Sequence, residues 1–506
     1  MLHGLTKAPF FVSLMGIGAV CMLVPALHAL AFADFRTARI FLYGSILSAF
    51  LTLLIGLATA NYAPRSVPRS QLTTLLAAFS ILPLLLAVPF YEVARPTSLI
   101  DAWFEMVSSF TTTGATLYEN AGRLNPSLHL WRALVGWLGG LLVWITAVAV
   151  LAPMNLGGFE VRAASATGDN LRLPRHLTLV TDPSERLLRI SVKLVPIYSG
   201  LTALLWLGLV IAGEVPFVAI CHAMAVISTS GISPVGGVQN AGAGLMGEVL
   251  IGVFFLLALS RLTFSFGIDR TGIGAVWTDP ELRLGLSIAG FVTAILFLRH
   301  YVLPESSVLQ TGLMPAVLAL WGTFFTVLSF LTTTGFESAH WLAAKDWAGL
   351  QSPGLILLGL ALIGGGVATT AGGVKLLRIY ALSKHGLREL ERIVHPHSLG
   401  GAGQDARRIR RQGAYIAWVF FMLFATSVAV VMLALSLVGL QFEPAMVLTI
   451  SALTTTGPLA EVAGENPASF AGIPDAAKMI LAATMVLGRM ETLALVALFN
   501  PEFWRS

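Results

Sequence analysis

Four short stretches decide how this sequence is read: Thr111-Thr112-Thr113-Gly114, Ser228-Thr229-Ser230-Gly231, Thr332-Thr333-Thr334-Gly335 and Thr454-Thr455-Thr456-Gly457. Each is flanked by apolar sequence, and successive copies lie about 100 to 120 residues apart. A single such loop would be an ordinary turn, since threonine and glycine favour turns. Recurrence at one place in every unit instead marks an internal repeat. Four copies in one polypeptide match the four quadrants of a cation pore, whose filter is a ring of inward-facing backbone carbonyls.

The composition requires a bilayer around such loops. Of 506 residues, 56% are hydrophobic and 11% charged, with a mean hydropathy of +0.81; soluble domains carry about 25% charged residues. Cys21 and Cys221 both lie in or beside apolar segments, which leaves no basis for a disulfide framework or a metal site. The formal charge of +5 sits mostly in loops between apolar spans, so it reads as topology and not as a nucleic-acid footprint. The first apolar run, about 8–32, ends in a signal-like Ala29-x-Ala31. It exceeds the 7 to 15 residue core of a signal peptide, and a second span follows at once, so it reads as a retained helix.

A spanning helix needs about 20 apolar residues. Two leading spans, about 8–32 and 38–60, are followed by four units, each a helix, a shorter segment ending at the hydroxyl-glycine loop, and a second helix. The first helices fall at about 71–91, 190–212, 282–302 and 414–439, the second at about 131–153, 247–267, 353–380 and 476–499. Segments before the loops, such as 99–110 and 217–227, are too short to cross and suit re-entrant pore helices. The predicted fold is therefore an all-α membrane protein with ten spans and four half-spans: two leading transmembrane helices (1–65) and four helix–pore loop–helix repeats (66–160, 161–275, 276–400 and 401–506) in pseudo-fourfold arrangement around one pore.

Orientation follows from lysine and arginine. The stretches between units carry Arg162, Arg172, Arg175, Arg186, Arg189 and Lys193, then Arg270 and Arg283, then Lys375 to Arg411 with nine basic residues. These, and the N-terminus, are expected in the cytoplasm. The loop-bearing stretches hold Glu92, Asp101, Glu105, Glu119, Glu214, Glu305, Glu337, Glu461, Glu465 and Asp475. The loops therefore open outward, where an acidic vestibule concentrates cations; the same acids equally serve to keep outer loops soluble.

Backbone carbonyls replace a cation's hydration shell without a fixed charge that would trap it, and glycine reaches φ > 0 at no steric cost. The expected ion-binding residues are Thr112, Thr113, Gly114, Thr229, Ser230, Gly231, Thr333, Thr334, Gly335, Thr455, Thr456 and Gly457. The run Gly364-Gly365-Gly366-Val367-Ala368-Thr369-Thr370-Ala371-Gly372-Gly373-Val374-Lys375 should break its helix, as each glycine costs about 1 kcal/mol against alanine; the alternative is close helix packing through small residues. Arg489 lies in the last apolar helix, where an arginine costs at least about 2.5 to 3.5 kcal/mol and normally faces the bundle interior. It is either a barrier beneath a cation filter or a partner of Glu491 or a helix carbonyl. Arg261 and the isolated His222 receive no role.

Taken together, Phe104-Glu105, Ser108-Ser109-Phe110-Thr111-Thr112-Thr113-Gly114-Ala115-Thr116, Trp137-Leu138-Gly139-Gly140, Gly372-Gly373-Val374-Lys375, and the tail from Gly488-Arg489 through Phe499-Asn500-Pro501 to Phe503-Trp504 resemble the Trk/Ktr/HKT superfamily of potassium transporters. The two leading helices make the chain most similar to the TrkH/TrkG type. The resemblance implies a homodimer in the bacterial inner (plasma) membrane and K+ held at the filter residues with no covalent cofactor. It also implies a gate built of Gly364, Gly365, Gly366, Thr369, Thr370, Gly372, Gly373 and Arg489, and control by a TrkA-like cytoplasmic ring of nucleotide-binding subunits. Ala368 and Ala371 stand where the family often has glycine. The implied function is potassium uptake, gated and driven by the membrane potential, with or without ion coupling. Two rivals remain: the potassium-binding subunit of an ATP-driven pump, whose filters favour asparagine, absent here; and a membrane-embedded enzyme, for which no nucleophile–base cluster, and so no catalytic residue, is found.

Overall fold

In lipid, every backbone N–H and C=O must be satisfied within its own segment, so long apolar runs become helices. The computed structural model describes residues 9–60, 67–154, 183–260, 277, 279–302, 313–349, 353–395, 411–464 and 467–490, and among these there is no strand. The leading pair is α1 (Phe10–Ala31) and α2 (Phe35–Ala58). Unit one comprises α3 (Arg69–Val93), the pore helix α4 (Leu99–Phe110) and α5 (Pro126–Leu151). Unit two has α6 (Pro183–Ile211), pore helix α7 (Pro216–Ser228) and α8 (Gly244–Phe255). Unit three has α9 (Pro280–Val302), pore helix α10 (Leu313–Leu331), an outer helix α11 (Trp341–Ala348), α12 (Gly354–Ile363) and α13 (Leu376–Val394). Unit four has α14 (Arg411–Leu437), pore helix α15 (Phe442–Leu453), a short α16 (Leu459–Val462) and α17 (Asp475–Met490).

One of the four expected half-spans is corrected, and the spans expected at about 247–267 and 476–499 run in part outside the described residues. Eight helices of the described residues are long and apolar enough to cross, and one of them is the third pore helix, Leu313–Leu331. The second helices of units two and three depart from the α-helix among the described residues. In unit two the helix tightens to a 3-10 turn at Leu256–Ala258; in unit three it stops at Ile363 and restarts at Leu376. Glycine-rich backbone at 364–373 accounts for the second break.

Packing runs in a ring. The second helix of each unit lies against the pore helix of the next: α5 on α7, α8 on α10, α12 on α15, and α17 back on α4. The last contact closes the circle and carries an ion pair, Lys478 Nζ to Asp101 Oδ1 at 2.6 Å. Asp101 also completes a capping box with Ser98 at the start of α4, so one carboxylate both starts a pore helix and ties unit four to unit one.

Close approach is set by glycines. A Cβ on Gly139 would stand 1.9 Å from Phe110 O, and one on Gly488 would stand 2.2 Å from Leu453 O. Phe110 and Leu453 are the last residues of pore helices one and four. The helix after the loop thus presses its bare backbone onto the end of the pore helix. Gly139→Val should therefore lower the thermal midpoint by several degrees, as overpacking of about 1 to 3 kcal/mol does. The same change at Gly200, where nothing lies within 4 Å of the Cβ position, should leave it unmoved; equal midpoints for the two variants would refute the packing argument.

Candidate ion filter and gate

Each pore helix ends at its hydroxyl-glycine loop, so four helix C-termini, each carrying roughly half a negative charge, converge where a cation would dehydrate. The loops are built alike. The first and third hydroxyls pair in every unit: Thr111 with Thr113 at 2.8 Å, Ser228 with Ser230 at 3.0 Å, Thr332 with Thr334 at 3.2 Å, and Thr454 with Thr456 at 3.2 Å. The third N–H bonds back to the pore helix each time, from Thr113 to Ser108 O, Ser230 to Ala225 O, Thr334 to Ser329 O and Thr456 to Ser451 O. These bonds fix the frame without using the carbonyls of the loop.

The loops meet on one axis. Built Cβ atoms would lie 1.9 Å from Ser230 O at Gly114, 2.3 Å from Thr334 O at Gly231, 3.0 Å from Pro458 at Gly335, and 2.1 Å from Ala115 N at Gly457. Each glycine therefore abuts the next loop, in the order one, two, three, four, one. Gly457 N also donates to Thr113 O at 2.6 Å. All four glycines line one cavity of about 120 Å³, together with Glu119, Glu337 and Glu461.

Backbone geometry departs from expectation at one glycine. Gly114, Gly231 and Gly335 take φ of 72°, 65° and 82°, whereas Gly457 is absent from the positive-φ set; its requirement is the crowding by Ala115. The positive φ shared by all four units belongs to the second residue: 55° at Thr112, 52° at Thr229, 57° at Thr333 and 53° at Thr455. A β-branched residue in this region is strained, and nothing in the residue pattern marks it.

A second set of residues shares a position but no residue type. Nine residues before the filter glycine, three pore helices carry a polar side chain that holds the strand leaving the filter. Glu105 accepts from Thr116 Oγ1 at 2.9 Å and Leu117 N at 2.6 Å, His222 Nε2 pairs with Ser233 Oγ at 2.8 Å, and Thr326 Oγ1 accepts from Ser338 N at 3.2 Å. His222 is thus not isolated. Glu105 is no free vestibule acid either, for it is fully buried and paired with Arg132 Nε at 2.9 Å. Glu248 of α8 reaches into unit three, accepting from Trp321 Nε1, Ser338 Oγ and Ala339 N at 2.7 to 2.9 Å. Glu214 accepts from Val215 N and Ala243 N, while Glu92 pairs with Arg95 and Asp475 with Lys478. Glu305, Glu465, Arg261 and Glu491 lie outside the described residues.

The glycine-rich run lies under the filter. Its ends are tied by Val374 N to Leu362 O, Lys375 N to Ile363 O and Leu376 N to Gly365 O, each 2.9 Å. Within it, Gly366 N donates to Ala258 O at 2.9 Å, and Val367 N donates to Glu281 Oε2 at 3.2 Å. Thr369 Oγ1 donates to Gly366 O at 2.7 Å and Thr370 Oγ1 to Ile227 O, at the end of pore helix two, at 3.1 Å. Gly372 N donates to Thr333 Oγ1 of the filter at 2.7 Å. A Cβ on Gly364 would meet Gly372 O at 2.2 Å, and one on Gly373 would meet Ala361 O at 2.7 Å, so both are fixed by the return of the loop on itself. Arg489 is buried in the last turn of α17. Two residues before it, Leu487 packs with Val374, Phe420, Phe424 and Leu453 at the loop's end.

Four pore helices, four loops on a shared axis and a loop beneath them define a membrane-embedded cation pore assembled from one chain. The family model TrkH, described as a cation transport protein, matches residues 249–506. The chain is 31% identical over 431 residues to the Trk system potassium uptake protein TrkH of Salmonella typhimurium, covering 83% of each. It is 29% identical over 414 residues to the Trk system potassium uptake protein TrkG of Escherichia coli, covering 81% of this chain and 80% of that one. The crystal structure of the potassium transporter TrkH from Vibrio parahaemolyticus superposes with a TM-score of 0.80 at 27% identity, over 99% of each chain. The chain belongs to the TrkH family of cation transport proteins.

The outer acids give the site a pH dependence. Burial, with Glu461 adding to it and Lys345 opposing, pushes Glu337 up to about 7; burial and Glu119 likewise raise Glu461. Glu337 is therefore charged above pH 7 and neutral below, and one unit charge at roughly 8 Å in water is worth about 0.5 kcal/mol, or about twofold in local cation concentration. Flux at sub-saturating rubidium should fall about twofold as outside pH drops from 8 to 6, and Glu337→Gln should hold it at the low value throughout. A Glu337→Gln profile as steep as that of the wild type would exclude this residue. Glu105→Ala leaves Arg132 buried without its partner, which costs about 3 to 5 kcal/mol. It should sharply lower the thermal midpoint, while Glu105→Gln, which keeps an acceptor for Thr116 and Leu117, should lower it less.

Proposed function

We propose that this chain is a potassium uptake pore that passes K+ inward across the bacterial inner membrane, its N-terminus in the cytoplasm. The observation that carries the reading is the convergence of Gly114, Gly231, Gly335 and Gly457 on one acid-rimmed cavity, with pore-helix C-termini behind every loop. The repeats run over 66–160, 161–275, 276–400 and 401–506, after two leading helices. K+ is held at the threonine, serine and glycine positions of the four loops. The gate is the run Gly364, Gly365, Gly366, Thr369, Thr370, Gly372 and Gly373, with Arg489 placing a positive charge on the inner side. No covalent cofactor takes part. The working assembly is a homodimer in the lipid bilayer, opened by a TrkA-like ring of nucleotide-binding subunits that docks on the basic cytoplasmic stretches.

Energetically the membrane potential suffices. At about 2.3 kcal/mol per charge per 100 mV, a potential of roughly 150 mV supplies about 3.5 kcal/mol, enough for a few-hundred-fold accumulation. The named relatives are transporters, which favours a transport pore over a pump subunit or a membrane-embedded enzyme.

Purified protein in liposomes tests the reading. Rubidium should enter without ATP and in preference to sodium. Gly114→Ser puts a Cβ at φ +72° beside Ser230 O, which forces the first loop away from the second and should lower the rubidium-over-sodium preference. Unchanged preference in Gly114→Ser, or rubidium entry only with ATP, would overturn the proposal.

A further inference from the structure

Two consecutive residues of unit four, Gly457 and Pro458, touch all three other units. Gly457 N donates to Thr113 O of unit one at 2.6 Å, and a Cβ on it would meet Ala115 N of that unit at 2.1 Å. Cβ atoms built on Gly231 of unit two and Gly335 of unit three would each stand 3.0 Å from ring carbons of Pro458. The units follow one another around the ring in chain order, so unit two lies opposite unit four. A residue of unit four that rests on unit three and also reaches unit two lies at the centre. Pro458 lines the cavity with the four glycines, at the end of the loops away from the glycine-rich run, whose Gly372 meets Thr333, Thr454 and Thr455. A proline suits the centre because it brings no N–H that would need a partner there.

Internal repetition supplies a second position for the same two residues. In units one and three the filter glycine turns its amide back to its own pore helix, Gly114 N to Ser108 O at 3.3 Å and Gly335 N to Ser329 O at 3.4 Å. The equivalent acceptor in unit four, six residues before the glycine each time, is Ser451 O. Hydroxyls show the same offset. Ser108 Oγ donates to Ala115 O, just after its glycine, at 2.6 Å, whereas Ser451 Oγ donates to Thr456 O at 2.8 Å and Gly457 O at 3.2 Å. Gly457 also differs from the other three filter glycines in lacking positive φ.

We propose that Gly457 and Pro458 control ion entry at the cavity end of the filter: in this structure they cross its centre, and an ion passes when they withdraw to the position that the repeat prescribes. The inference deepens the uptake reading above and rests on it. In the withdrawn position Gly457 N bonds Ser451 O, Ser451 Oγ bonds Pro458 O, and Gly457 takes the positive φ of its three counterparts. Each group exchanges one partner for another, so no buried polar group is orphaned by the move. Thr113 O is released to face the pore, where a ring of carbonyls replaces a cation's hydration shell. A cation that binds the withdrawn form alone draws the loop toward it. Glycine serves both positions, since it leaves room for Ala115 in one and reaches positive φ without steric cost in the other. Pro458 is thus a positioning residue, whose ring decides whether the centre is occupied.

Rubidium and sodium entry into proteoliposomes of the full-length protein test this. Pro458→Ala removes the ring carbons that lie against Gly231 and Gly335 and leaves the hydroxyl frame of every loop intact. Rubidium entry should rise several-fold and the rubidium concentration for half-maximal entry should fall, with the preference over sodium kept. Pro458→Val restores bulk at the same point and should return entry most of the way to the wild-type level. Sodium entry rising in step with rubidium would mean a filter that merely leaks, and Pro458→Ala indistinguishable from a transporting wild type would mean that the ring obstructs nothing. Either result overturns this inference and leaves the uptake reading standing. A wild type that admits no rubidium overturns the uptake reading itself, and this inference with it. Should Pro458→Ala fail to fold, electron cryo-microscopy of the wild type in saturating K+ decides: Gly457 at positive φ with its amide on Ser451 O supports withdrawal, and an amide still on Thr113 O refutes it.

Discussion

Backbone that leaves the helix inside a membrane must find its hydrogen-bond partners in protein, because lipid offers none. In this chain that constraint falls on four loops at once, and most of the polar residues buried around the pore answer it. The third hydroxyl of each loop is held by the first, and its amide by the end of the pore helix. The strand leaving the filter is held by Glu105, His222 or Thr326 from its own pore helix, and in unit three by Glu248 from the neighbouring unit as well. The third amide of each loop thus takes its partner from the pore helix and leaves the carbonyls of its own loop to other donors.

The same logic explains where charge sits. Glu105 and Glu248 each accept two or more hydrogen bonds and stand behind the filter, where a carboxylate is a strut rather than a lure for ions. Glu119, Glu337 and Glu461 remain at the cavity rim, where negative potential raises the concentration of cations. Basic residues gather elsewhere: Lys375, Arg378 and Arg489 are buried at the glycine-rich run or in the last helix. Lys375 Nζ donates to Ala371 O, and Arg378 reaches Val374 O at 3.2 Å while lying 3.6 Å over the Phe420 ring. Acids thus sit at the cavity, uncharged oxygens at the four loops, and basic residues at the glycine-rich run and the last helix.

Much of this was legible in the sequence. Hydrophobic length gave the spans, the recurring loop gave the fourfold plan, and the glycine run gave the broken helix. Three features stayed hidden, each for a physical reason. Positive φ at threonine cannot be seen in residue type, since the pattern assigns that conformation to glycine. The filter struts lie nine residues upstream as Glu105, His222 and Thr326, three unlike residues doing one task, so no motif connects them. Glu248 acts on another unit, and contact between units is a property of the ring, not of local sequence. The third pore helix was misjudged in length because its apolar run continues back to Leu313, where the other three begin close to the loop.

The two alanines of the gate loop acquire different meanings from their backbones. Ala371 is fully buried, and its methyl would crowd a Cβ on Gly365 at 2.5 Å, so it packs the loop against itself. Ala368 takes φ +56°, and Lys375 closes the run at φ 83°, ψ 133°; neither residue favours its region, and such positions cost of order 1 to 3 kcal/mol each. Strain of this size persists only when neighbours over-determine it, and here the three backbone hydrogen bonds that zip Val374, Lys375 and Leu376 onto Leu362, Ile363 and Gly365 do so. The loop is therefore held by several weak bonds against internal strain. A loop of glycine throughout would carry less strain and lose more entropy on folding; the alanine at φ +56° shifts part of that cost from chain entropy into stored conformation.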